Sequence, residues 1–211
     1  MNKIWSLTDL PELKVADCLA FRAEGWQRPA MKLIGAESFH WALAGVKIDY
    51  RQIFNVIIQH RDDFPAQLIS RLNERLAEIE VGDYQVVDSI SKGITHHLLS
   101  EYQTRHMRVY RPKYQDGVQD ALAPFFLERY LYYGDQTYDK KGVLMVAAWL
   151  LLNKAGFNVE WWEHDANQFW CLEFDEIVHR DYGLALVSEN EPAYPTNMER
   201  SPMLELIWST F

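Results

Sequence analysis

Three groups of side chains have the types and spacing to do chemistry. The first is His96-His97 with Glu101 and His106. On a helix His97 and Glu101 share a face at i,i+4, the spacing at which a zinc site takes two of its ligands, and His106 can add a third after a bend. The same face is also explained without a metal, since Glu101 is placed to pair with Arg105 and Asp88 with Lys92. The second group is His164-Asp165 with Glu173, Asp175 and Glu176. Carboxylates beside a histidine do acid–base work only where they converge and their environments drive their pKa values apart. The third group is Cys18 and Cys171, far apart in sequence, each among apolar or aromatic neighbours. That setting reads as two buried reduced thiols. Cys171, between Trp170 and Leu172, is expected to be blunted by burial rather than nucleophilic.

The familiar motifs are missing. His179-Arg180-Asp181 has neither the downstream Asn nor the glycine-rich loop of a kinase, and Lys140-Lys141-Gly142 has no glycine array before it. Gly-x-Gly-x-x-Gly, Gly-x-Ser-x-Gly and Cys-x-x-Cys do not occur. No cofactor is expected from this pattern.

The elements that must position these groups read mostly as helices. Apolar residues recur at helical spacing over Leu10–Ala23, Pro29–Ala44, Tyr50–His60, Phe64–Ile79, Tyr84–Glu101, Val118–Tyr133 and Lys140–Lys154. Lys140–Lys154 is the most hydrophobic of them and is expected at the centre of the core. After Gly156 the pattern changes. Phe157–Glu163 alternates like a short strand, Gln168–Val178 fits strand or helix, Pro192 and Pro195 suggest an extended linker, and Pro202–Trp208 is a short apolar segment. The expected fold is therefore mainly α. It is a single-domain multi-helix bundle spanning 1–211, with a helical body 1–156 and a small mixed, acidic, aromatic-rich C-terminal subregion 157–211. A chain of 211 residues can bury enough surface to fold without disulfides or metals.

Charge is distributed unevenly. Residues 160–211 hold eleven acids against Arg180 and Arg200, so this segment carries the whole net charge of −9. Lys92–Lys113 is locally basic. An acidic balance disfavours nucleic acid as a partner, because the phosphate backbone asks for a basic face. The longest apolar run, Val143–Leu152, has ten residues, half of what a bilayer-spanning helix needs, so no membrane partner is expected. The start of the chain lacks the apolar run of a secretory signal, which suggests a cytoplasmic protein.

These features lead to a non-enzymatic binding or inhibitory protein of the immunity or antitoxin type. Its working surface would consist of Trp161, Trp162, Glu163, Asp165, Trp170, Glu173, Asp175 and Glu176, with aromatic anchors and acids steering a basic protein partner. The alternative is a helical enzyme with a histidine–carboxylate or metal site around His96, His97 and Glu101, His106 completing the ligands.

Overall fold

The computed structural model describes residues 3–25, 27–47, 66, 70, 84–90, 93–115, 118–121, 137–159, 168–188 and 191–211. Cys18, Leu19, Ala20 and Phe21 are each 0% exposed. They form strand β1 (Cys18–Arg22), and the alternation of a strand divides them. Cys18 and Ala20 join one buried cluster, Leu19 and Phe21 the other. A strand covered on both faces needs no polar residue at alternate positions. Its sequence is then a plain apolar run, which periodicity cannot tell from a buried helix.

The same holds for parts of the two strands that follow in the chain, where Trp41, Leu43 and Val87 join one cluster and Ala42, Ala44 and Val86 the other. Strands β2 (Ser38–Lys47), β3 (Tyr84–Ile90), β4 (Gly93–Leu98), β5 (Met107–Pro112) and β8 (Leu204–Ser209) join β1 in a six-stranded sheet of order β4-β3-β2-β1-β5-β8. Every pairing in it is antiparallel. The expectation of a mainly α bundle is therefore corrected, because the central element among the described residues is this sheet. Leu10–Ala23 is not a helix but a connection, preceded by a 3-10 turn at Leu7–Asp9, and then β1. Tyr84–Glu101 is not a helix but the hairpin of β3 and β4 followed by a 3-10 turn at Leu99–Tyr102. Beyond that turn, Met107–Pro112 is β5.

Pro29–Ala44 splits in two. Helix α1 (Gln27–Ile34) stops at Gly35, whose φ of +78° only glycine adopts without strain. The Ala36 N–H bonds Met31 O at 3.0 Å and the Gly35 N–H bonds Lys32 O at 3.2 Å, the pair of reversed bonds that closes a helix at a C-terminal glycine. The chain then enters β2. The expected helices Tyr50–His60 and Phe64–Ile79 lie outside the described residues, apart from helical positions 66 and 70. Of Val118–Tyr133, the turn Val118–Ala121 is helical and the rest lies outside them.

Lys140–Lys154 is a helix with the bounds read from the sequence, α2, capped by the Asp139 carboxylate on the Gly142 N–H at 2.6 Å. Its place is corrected. Only Gly142 and Val146 are buried, while Leu144 is 71% and Leu151 52% exposed, so α2 flanks the core rather than filling it. The ambiguous stretch Gln168–Val178 resolves into β7 (Gln168–Phe169), paired in parallel with β6 (Thr137–Tyr138), and α3 (Cys171–Asp181). Leu172, Phe174 and Val178 of α3 pack with Trp41, Leu43 and Val87 in the cluster on one side of the sheet. Trp5 and Leu13 cover the other with Leu99, Met107 and Val109. Pro195 opens a short helix α4 (Pro195–Glu199) instead of continuing a linker. No helix among the described residues is long and apolar enough to cross a membrane.

Candidate active site

Strand β2 carries a bulge. Phe21 pairs with His40 and Arg22 with Ser38, leaving Phe39 without an opposite residue. Bulges of this kind re-aim the adjacent side chain. Here the adjacent side chain is His40, whose Nε2 lies 2.9 Å from Asp88 Oδ2 on β3. Asp88 is fully buried and accepts a second hydrogen bond from the Tyr102 hydroxyl at 2.9 Å. His97 Nε2 stands 3.7 Å from its other oxygen. The rings of His40 and Tyr102 both stack on Phe21, with centroids at 5.8 and 4.5 Å, which fixes their planes.

The third member comes from the far end of the chain. Cys171 and His40 line one cavity of about 220 Å³, and Cys171 is near enough to favour the charged form of the ring. Cys171 is the first residue of α3, with Trp170 as the extended residue before it. The first helical hydrogen bond runs from the Phe174 N–H to Trp170 O at 3.0 Å, so the N–H groups ahead of it have no acceptor within the helix. A helix N-terminus and a protonated imidazole both stabilise negative charge beside them. The arrangement is thus thiol, imidazole and carboxylate in series, with backbone donors at the thiol end.

The electrostatics follow from burial and pairing. Burial disfavours a charged His40 ring, but the hydrogen bonds and charges of Asp88 and Cys171 outweigh it and raise the ring to about 10. Burial likewise works against a charged Asp88. Its bonds to His40 and Tyr102 and the nearby charges prevail and hold its carboxyl below the usual range. Tyr102 is pushed up, first by burial and then by the Asp88 charge, so it remains a donor. Asp175 is one turn along α3 from Cys171, fully buried, and neither of its oxygens has a hydrogen-bond partner among the described residues. Burial, reinforced by Cys171, pushes its carboxyl well up and favours its neutral form. His179, two turns along the same helix from Cys171, lies with Nδ1 2.7 Å from the Tyr114 hydroxyl and Nε2 3.3 Å from Cys18 Sγ. Burial lowers it to about 3 and raises the Cys18 thiol, so this second cysteine–histidine pair is neutral.

The residues singled out in the sequence are placed differently. His96 and His97 are successive residues of strand β4, paired with Val87 and Val86, and successive strand positions belong to opposite faces. Glu101 does meet His97, at 3.3 Å, through the 3-10 turn rather than along a helix. His106 bonds Thr210 O at 3.1 Å and meets the Phe211 ring edge-on. Among the described residues no three His, Cys, Asp or Glu side chains gather as metal ligands. In the acidic segment, Trp170 is buried and donates to Ala193 O at 3.1 Å. Glu176 is buried against Arg180, and Glu173 is half-buried. With Asp175 also buried, these residues do not form one exposed acidic face. Trp161, Trp162, Glu163 and Asp165 lie outside the described residues. The basic middle of the chain is internally paired, Arg108 with Glu37 and Arg111 with Asp17.

Sequence reasoning passed over the residues that do converge. His40 was read inside a helix, Asp88 as a partner for Lys92, and Cys171 as an inert thiol. Both cysteines are indeed free and buried. One signal was present: Cys171 stands where an aromatic pair, Phe169-Trp170, meets a helical pattern, the position of a thiol at a helix N-terminus. Compared with protein-family models and with curated proteins, the chain matches none.

Proposed function

We propose that this protein is a thiol-dependent acyl hydrolase or acyltransferase, with Cys171 as nucleophile, His40 as acid and base, and Asp88 as the residue that orients His40. The observation that carries the reading is a single imidazole bonded to a buried carboxylate and sharing one cavity with a thiol at a helix N-terminus. Cys171 sulfur attacks an acyl carbonyl carbon, forming a C–S bond. Oxygen charge that develops on the carbonyl is met by backbone N–H groups at the start of α3. His40 gives its proton to the leaving group as the bond from carbonyl carbon to oxygen, nitrogen or sulfur breaks. Water, losing a proton to His40, then attacks the thioester, the C–S bond breaks and the acid leaves. Asp88 keeps the ring oriented throughout and stabilises its charged form, while Tyr102 holds Asp88.

The binder reading draws on residues that are buried or outside the described part, and no specific observation favours it. The test is alkylation by iodoacetamide at pH 7, mapped by mass spectrometry. Cys171 should react at least tenfold faster in the folded protein than in protein unfolded by urea, and His40→Ala should remove that advantage. Cys18, at 0% exposure, should stay unmodified until the protein unfolds. A folded Cys171 no more reactive than the unfolded thiol would refute the reading.

A further inference from the structure

The cavity beside Cys171 and His40 has a chemistry that narrows the substrate. Its volume of about 220 Å³ lies below the roughly 300–1,000 Å³ of pockets that hold drug-sized ligands. Ile34, Phe39, Val143, Val146 and Leu150 supply its walls, and apart from His40 no titrating cation or carboxylate lines it among the described residues. Its rim is apolar as well. Leu33 and Leu151 line it and are 50% and 52% exposed, and Leu144 and Leu152 extend the surface along α2. A peptide or sugar placed there would leave amide or hydroxyl groups against apolar walls, each at a desolvation cost. An unbranched hydrocarbon chain has no polar group beyond its carbonyl, and the one end of the cavity that can react is the thiol.

We propose that this cavity is the acyl-chain site of the thiol enzyme inferred above, taking an unbranched acyl ester or thioester with its carbonyl carbon at Cys171 and its chain between α1, α2 and α3. The inference rests on that reading of Cys171. The carbonyl–oxygen or carbonyl–sulfur bond breaks as the C–S bond to Cys171 forms, the leaving group takes the proton of His40, and water releases the fatty acid.

The test is hydrolysis of p-nitrophenyl esters from acetyl to decanoyl by the purified chain, each rate divided by that of a small thiol with the same ester. The expected result is a kcat/KM that rises roughly threefold to fourfold per added methylene until the cavity is filled. Leu150→Trp should move the optimum to shorter chains. Cys171-dependent hydrolysis that is fastest for the acetyl ester, or indifferent to chain length, overturns the acyl-chain site and leaves the thiol chemistry standing. Equal hydrolysis by wild type and Cys171→Ala overturns the thiol reading itself. Two sources of the chain are separated by offering p-nitrophenyl octanoate free in solution and phosphatidylcholine vesicles with titration of released fatty acid. Turnover of the vesicles assigns a lipid source and supports the site. Turnover of the free ester alone assigns a soluble acyl donor and supports it equally. Turnover of neither by protein whose Cys171 alkylates rapidly overturns it.

Discussion

At the scale of single residues, His40 is the pivot because it is shared. Asp88 on one side and Cys171 on the other keep it charged up to about pH 10 despite burial. The His40 ring, followed by NMR as pH rises, should therefore hold its proton to the alkaline side and lose it only near that value. Asp88→Asn removes the charge and one acceptor while keeping the shape. It should move the His40 transition down towards its ordinary 6.5, which the same NMR titration reads directly. A profile unmoved by Asp88→Asn would remove Asp88 from the site. Tyr102→Phe is milder, because Asp88 keeps its bond to His40. The loss of one hydrogen bond to a charged group should cost about 1.5–3 kcal/mol of stability, measured by urea denaturation.

At the scale of elements, the site depends on where strands and helices begin. Gly35 turns α1 into β2 five residues before His40, and among the described residues a Cβ there would meet only Arg200 Nη2, at 3.9 Å. The space is free, so Gly35→Ala should cost only the left-handed strain, about 1–2 kcal/mol, seen as a melting point lower by a few degrees. Phe174, 0% exposed, ties α3 to the sheet, and Phe174→Ala should cost about 3–5 kcal/mol. Sequence reading found α2 to the residue because it is the most hydrophobic helical run and is closed by Gly156. It missed β1, β2 and β3 because strands buried on both faces lose the polar alternation that marks them. The candidate site was illegible for a related reason. His40 and Cys171 lie far apart in the chain, and what joins them is a bulge at Phe39 and a helix start at Cys171, neither of which leaves a spacing to read. The charge imbalance was read correctly as a count but not as a surface, since Asp175 and Glu176 turn inward.

For the whole molecule, the buried titrating groups make stability a balance of opposed slopes. His40, raised to about 10 from 6.5, stabilises fully below pH 6.5, and that contribution is lost as pH rises to about 10. Asp175, raised from 3.8, has the same sign: the unfolded chain ionises first, so stability falls as pH rises above 3.8. His179 has the opposite sign. Lowered to about 3, it stays neutral in the fold while the unfolded chain takes up a proton below 6.5, so stability falls as pH drops through that range. As pH rises from 3.8 the slope of Asp175 opposes that of His179, whereas above 6.5 His40 lowers stability. Wild-type stability should therefore vary little on the acid side and fall from pH 6.5 to 9. Substitution separates the contributions. His179→Gln keeps a polar side chain beside Tyr114 and Cys18 but cannot titrate. Whatever its cost at pH 7.5, its stability relative to wild type should improve by about 2 kcal/mol at pH 5, since each pH unit below 6.5 is worth about 1.4 kcal/mol to a group that stays neutral in the fold. Urea denaturation of both proteins at the two pH values reads the difference. An unchanged gap between them would mean that His179 accepts a proton in the folded protein. Asp175→Asn should show the complementary behaviour, removing the part of the stability loss with rising pH above 3.8 that its carboxyl contributes.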